Sequence, residues 1–151
     1  MARVQDFAKS GDVTEAARIC GLLAVACEGP SELSLADAVH EGLPVTAADR
    51  LIELVGKERI VGPVIPEATL RRARASGVLS REHSERIYEL GRVIERLSRT
   101  YKGDMGAVRR FLDKPHRLLE RRTPLDVACA GAAGTVAVLN MLERAEAGFA
   151  V

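Results

Sequence analysis

Residues 80–101, SREHSERIYELGRVIERLSRTY, decide the fold class. Ile87, Leu90, Ile94, Leu97 and Tyr101 are spaced 3, 4, 3 and 4 apart. An α-helix turns once in about 3.6 residues, so positions spaced this way share one face. Ser80 stands where an N-cap belongs, its hydroxyl able to accept from an unpaired amide of the first turn. The pairs Glu82/Arg86 and Glu95/Arg99 are four apart and are expected on the wet side, where such pairs add modest support. This segment reads as the long spine of an all-α chain.

The same logic works outward in both directions. Asp12 and Glu15 resemble a capping box, and Val13, Ala16, Cys20, Leu23 and Cys27 recur at helical spacing until Gly29-Pro30. A shorter helix is expected from Ser34 to about Glu41, stopped by Gly42. Another opens at Thr46 with Asp49 and ends at Gly56, with a further turn of helix near Lys57 to Val61. Pro66 suits the start of a helix over Glu67 to Ser76, ending at Gly77 with Arg71, Arg72 and Arg74 outward. Downstream, Asp104 opens a helix carrying Met105, Val108, Phe111 and Leu112 inward, closed by Pro115. Thr123-Pro124-Leu125-Asp126 combines an N-cap, a proline at the first helical position and an acid at the third. From there to Gly148, past the small residues Gly131 to Gly134, the pattern fits either one kinked helix or two close-packed ones.

The composition restricts function. The chain has 151 residues with 22 Lys and Arg against 21 Asp and Glu, so no global field draws it to nucleic acid or acidic lipid. The imbalance is local: residues 79–122 hold twelve basic and seven acidic side chains, residues 123–151 one basic and three acidic. Cys20, Cys27 and Cys129 are odd in number and follow no signal-like start, which fits a reducing cytoplasm rather than a disulfide framework. The longest apolar run, Ile19 to Cys27, is far shorter than the roughly 20 residues a bilayer requires, so no membrane role is expected.

Catalytic signatures are missing from the pattern. His40, His83 and His116 join no cysteine at metal-ligand spacing, and neither a glycine-rich phosphate loop nor a nucleophile elbow is present. The Cys20/Cys27 pair reads as two small core residues. The chain is therefore expected to bind macromolecules, without catalysis, metal or cofactor. Two stretches are candidates for contact. Thr46 to Ser76 has the proportions of helix, short helix, turn and helix, and Thr69, Arg71, Arg72 and Arg74 would meet phosphates or base edges if the last helix entered a groove. Against this, Glu67 opposes phosphate near the helix start, and residues 30–78 sum to −1. The second stretch is the carboxyl end, where an apolar helix finishes in Gly148-Phe149-Ala150-Val151. Phe149 either inserts into a partner or folds back on its own core.

A series of short motifs in order resembles a known family. They are LADAVHEGLP (35–44), Ile65-Pro66 with Thr69-Leu70 and Arg72, and Leu79-Ser80 with Glu82, Ser84 and Arg86. Phe111-Leu112 with Pro115, Arg121 with Thr123-Pro124-Leu125-Asp126, Gly134, and Leu142-Glu143-Arg144 with Glu146 and Gly148 complete the series. Together they resemble the Xre/MbcA/ParS antitoxins of bacterial type II toxin–antitoxin modules, over about the last three quarters of the chain. The resemblance implies an amino-terminal extension (1–30), an Xre-like helix-turn-helix lobe (31–78) and a toxin-binding helical lobe with a tail (79–151).

The implied partner is a RES-domain toxin that consumes NAD or transfers ADP-ribose, bound in a homodimer or hetero-oligomer, with operator DNA as a further partner. Phe111, Leu112, Thr123, Pro124, Leu125, Gly134, Leu139, Leu142, Arg144, Glu146, Gly148, Phe149 and Val151 are the implied toxin-binding positions. Leu139, Leu142, Gly148 and Phe149 would anchor the contact, while the Val151 carboxylate or a nearby acid meets basic groups that otherwise hold NAD phosphates. Glu120-Arg121 stands where the family commonly has a Gly-Gly turn. The alternative reading is a DNA-binding repressor whose carboxyl-terminal lobe only dimerises it.

Overall fold

The computed structural model describes residues 13–148. Among them the helices are α1 (Glu15–Leu22), α2 (Glu32–Glu41), α3 (Thr46–Val55), α4 (Lys57–Ile60), α5 (Glu67–Ser76), α6 (Arg81–Thr100), α7 (Met105–Asp113), α8 (Pro124–Cys129) and α9 (Ala132–Glu146), with a 3-10 turn at Arg117–Leu119. The fold is all-α, as the spacing predicts; among the described residues extended pairing is confined to isolated bridges such as Pro44 with Val78.

α6 is the spine. Ile87, Leu90, Val93, Ile94 and Leu97 are fully buried along it, and α1, α2, α3, α7, α8 and α9 all pack against it. Ser80 caps it as expected, accepting from the His83 amide at 3.2 Å. Two details of the sequence reading are corrected. Tyr101 closes the apolar stripe in sequence, yet it is 36% exposed, because the helix has already ended at Thr100. Glu95 lies inward rather than on the wet side: it is 4% exposed, and its Oε1 accepts from Arg18 Nε of α1 at 2.9 Å and from Arg99 Nε at 2.7 Å. The surface expected for Glu95 is covered by α1, which also lays Leu23 against Gly91, where an added Cβ would meet Leu23 Cδ2 at 3.2 Å.

α1 is shorter than its apolar pattern predicts. Asp12 lies outside the described residues, and the observed cap is Thr14, accepting from Ala17 N at 3.2 Å. The helix stops after Leu22 instead of running to Gly29. The Ala24 amide bonds to Gly21 O at 3.3 Å and the Val25 amide to Cys20 O at 2.9 Å, the two bonds of a Schellman turn. Ala24 therefore holds φ at 53°, a conformation that suits glycine better than alanine. The turn folds Cys27 back on Cys20, bringing the two free thiols into contact. Burial first, and then the neighbouring Cys27, push the Cys20 thiol up to about 12. Replacing Ala24 by Gly is expected to stabilise the chain by about 0.5–1 kcal/mol, relief of the left-handed strain outweighing the extra freedom of the unfolded glycine. A thermal melt checks the sign.

The segment from α2 to α5 closes on α6 through main-chain bonds. Val45 N donates to Gly77 O at 3.0 Å and Leu79 N to Leu43 O at 2.8 Å, while the buried Ser84 hydroxyl of α6 accepts from Leu43 N at 2.8 Å. α5 ends at Gly77 in the left-handed region, as a helix-terminating glycine should. At the far end the open choice between one helix and two is decided for two: Gly131, with φ 136°, breaks the chain between α8 and α9.

Candidate toxin-binding lobe

The second half of α6, with α7, the 3-10 turn, α8 and α9, forms the lobe that gathers the carboxyl-terminal candidates. Thr123 caps α8 through Asp126 N at 3.1 Å, and Pro124 takes the first helical position, so the local motif builds the start it announced. Leu112, Pro124, Leu125 and Leu142 are buried in the chain's own core, and Leu139 packs half-buried against it. These residues shape the lobe and offer little surface of their own. Gly134 is internal as well: a Cβ there would stand 1.8 Å from Val127 O, so its lack of a side chain is what lets α9 cross α8.

Phe111 is half-buried between Tyr101 and His116, with ring centroids 6.3 and 6.4 Å away. The turn beside it is strained. Glu120 and Arg121 both adopt positive φ, 54° and 64°, the conformation that a Gly-Gly pair would take without strain. The Arg121 amide bonds to His116 O at 2.9 Å, and His116 N to Arg122 O at 3.0 Å, which holds the turn in that shape.

Arg144, Glu146 and Gly148 are exposed, on the last turn of α9 and just after it. Phe149 and Val151 lie outside the described residues. Glu146 fixes the base of this end to the spine: its Oε1 accepts from Thr100 Oγ1 at 2.7 Å, and Oε2 pairs with Arg96. The Thr100 hydrogen bond, with help from Arg96, holds the Glu146 carboxyl below its ordinary 4.5. A carboxyl lowered on folding contributes above its unfolded value and ceases to as pH falls through the lowered one. The last turn of α9 is therefore expected to fray below about pH 4, seen as faster amide exchange at residues 144–148 after correction for intrinsic rates. Thr100→Ala should weaken the same anchor at neutral pH.

Outside this lobe, Arg71 and Arg72 of α5 are exposed and Thr69 is half-buried. Arg74 is bonded to Asp49 Oδ1 at 2.8 Å. The structure thus brings the basic candidates onto one helix but spends one of them within the protein.

Sequence reasoning overlooked the arginine-ringed carboxylate Glu95 and the anchors Arg96 and Thr100. A signal existed: Ser84, Gly91 and Glu95, spaced seven and four apart, mark a second stripe of α6 made of small and polar residues. Its partners, Leu43 at Ser84 and the α1 segment at Gly91 and Glu95, cannot be read from spacing within α6.

Residues 90–148 match the family model of the antitoxin Xre/MbcA/ParS C-terminal toxin-binding domain. The carboxyl-terminal lobe is thus similar to the toxin-binding domain of this antitoxin family. The match begins at Leu90, in the middle of α6, and ends at Gly148, so it takes in α7, α8 and all of α9. A toxin is accordingly the partner for which an Xre/MbcA/ParS lobe is built. No curated protein matches the chain. α1 lies outside the matched residues, yet it joins the antitoxin lobe through Arg18 and Glu95.

Proposed function

We propose that the chain is an antitoxin that neutralises a RES-domain toxin by steric occlusion, the end of α9 and the tail beyond it filling the cleft where the toxin holds NAD. The toxin-binding domain match carries the antitoxin part of this reading; the resemblance of the short motifs to RES-associated antitoxins supplies the toxin class. The geometry supports the tail's role. Residues 143–148 are exposed without a break, while Glu146 is tied to α6 at two points. A tail leaving a fixed base loses less freedom on insertion than one leaving a frayed helix. Among the described residues of 123–148, three acids face one arginine, a balance suited to groups that otherwise hold phosphates.

Operator binding through α5 is a second part of the proposal, favoured by the exposed Arg71 and Arg72. The two parts separate by mutation. Removing residues 146–151 should restore NAD consumption by the co-purified toxin and leave operator affinity intact. Arg71, Arg72 and Arg74 changed together to Ala should do the converse. Full inhibition by the truncated chain would refute occlusion by the tail.

A further inference from the structure

An open groove lies on the same lobe, beginning one residue past the Thr100 that holds Glu146. Tyr101, Ala107, Arg110, Phe111, Lys114 and His116 line this groove of about 420 Å³ at the junction of α6, α7 and the 3-10 turn. Its floor is aromatic and its mouth cationic. Residues 101–122 carry seven Lys and Arg against three Asp and Glu, in a chain whose totals are nearly equal. All three acids are already engaged. Asp113 accepts from Arg59 Nε at 3.0 Å, Asp104 caps α7 through Ala107 N at 3.1 Å, and Glu120 lies 3.7 Å from Arg122. Arg110 and Lys114 form no ion pair among the described residues. Beside the groove Leu118 is 49% exposed, projecting from the turn that Glu120 and Arg121 hold in left-handed conformations.

We infer that this groove docks an acidic protein segment, one apolar or aromatic side chain of which seats against Tyr101 and Phe111 while flanking carboxylates meet Arg110 and Lys114. Charge complementarity selects an acidic ligand, since the cations at the mouth have no internal counter-ions. Ring geometry selects a side chain over a nucleobase. The rings are tilted by 54° and 40° to one another, so they wall a slot rather than forming the parallel faces on which successive bases stack. The protruding Leu118 gives a protein ligand a further apolar contact beside the slot.

Fluorescence anisotropy on the full chain tests this with three labelled probes: a decapeptide of Asp and Glu with one central Phe, the same peptide with Ala in that place, and a single-stranded oligothymidine of twelve nucleotides. The Phe peptide should bind, the Ala peptide at least about tenfold more weakly. Arg110→Glu with Lys114→Glu should abolish binding. Tyr101→Ser, at a half-exposed ring whose loss should leave folding intact, should weaken the Phe peptide and not the Ala peptide. Circular dichroism of each variant controls for folding, and Arg71→Glu with Arg72→Glu controls for distant charge. Equal binding of the two peptides would reduce the surface to an unspecific cationic patch and overturn the inference. So would tighter binding of the oligothymidine through the same residues, or binding unaffected by the charge reversal.

Discussion

Gly134→Ala is expected to destabilise the chain by about 3 kcal/mol, a fall in melting temperature of roughly 6–12 °C, although it adds a single methyl group. The cause is local and severe. The added Cβ would fall 1.8 Å from the carbonyl oxygen of Val127, and main-chain atoms of a packed helix cannot rotate aside as a flexible side chain can. α9 must move away from α8 to admit it. That motion opens contacts made by the buried Val138, Met141 and Leu142 further along α9. Because the end of α9 is set by how its first turns sit, toxin inhibition should weaken together with stability. Ala132→Ser, at an exposed position of the same turn, should change neither. A Gly134→Ala variant that melts with the parent protein would mean that α8 and α9 do not cross this closely.

Glu95→Gln is expected to cost about 2 kcal/mol and to loosen α1 before any other helix. The substitution keeps the shape of the side chain and removes its charge, so the ε N–H groups of Arg18 and Arg99 lose an ionised acceptor. Hydrogen bonds to charged groups contribute roughly 1.5–3 kcal/mol each. The total here is smaller because the side chains of Arg18 and Arg99 are 30% and 44% exposed and water recovers part of the loss. Only one of the two arginines tethers a separate helix. Amide exchange should therefore accelerate over residues 15–22 and stay unchanged in α8 and α9. Arg18→Ala should reproduce that local pattern, and combining it with Glu95→Gln should add less than the sum of the two losses, the mark of a shared interaction. Equal acceleration throughout the chain would show that Glu95 supports the whole core and not the docking of α1.

Both residues show where sequence reading stops. Most helices from α2 to α8 were legible because their signals lie within a few residues: Ser80, Asp104 and Thr123 cap, Gly42, Gly56 and Gly77 terminate, and Pro124 starts. The starts were less so, since α2 is capped by Ser31, three residues before the expected Ser34, α3 has no side-chain cap at Thr46, and the break before α9 was left open. The long stripe of α6 was legible for the same reason, since its period lies in the chain itself. α1 misled because its apolar spacing continues through Cys27, whereas the chain turns at Ala24, a residue with no intrinsic preference for that turn. The toxin-binding lobe was recognisable from short motifs, but the motifs did not say which of their residues face outward. Leu112, Leu125, Leu142 and Gly134 proved to be internal, and only Arg144, Glu146 and Gly148 of the described candidates in α9 and just beyond it stand in the open.

By itself, then, the sequence determined the helical class, most helix ends and the antitoxin resemblance, all of which depend on interactions spanning a turn or two of chain. The tertiary structure alone decided that Glu95 would be buried between two arginines, that Gly134 would touch Val127, and that Tyr101, Phe111 and His116 would wall one groove. Each of these depends on which helix lies against which, and a helix has several faces to offer. The choice among them is made by the summed fit of the whole core, a quantity that no local spacing contains.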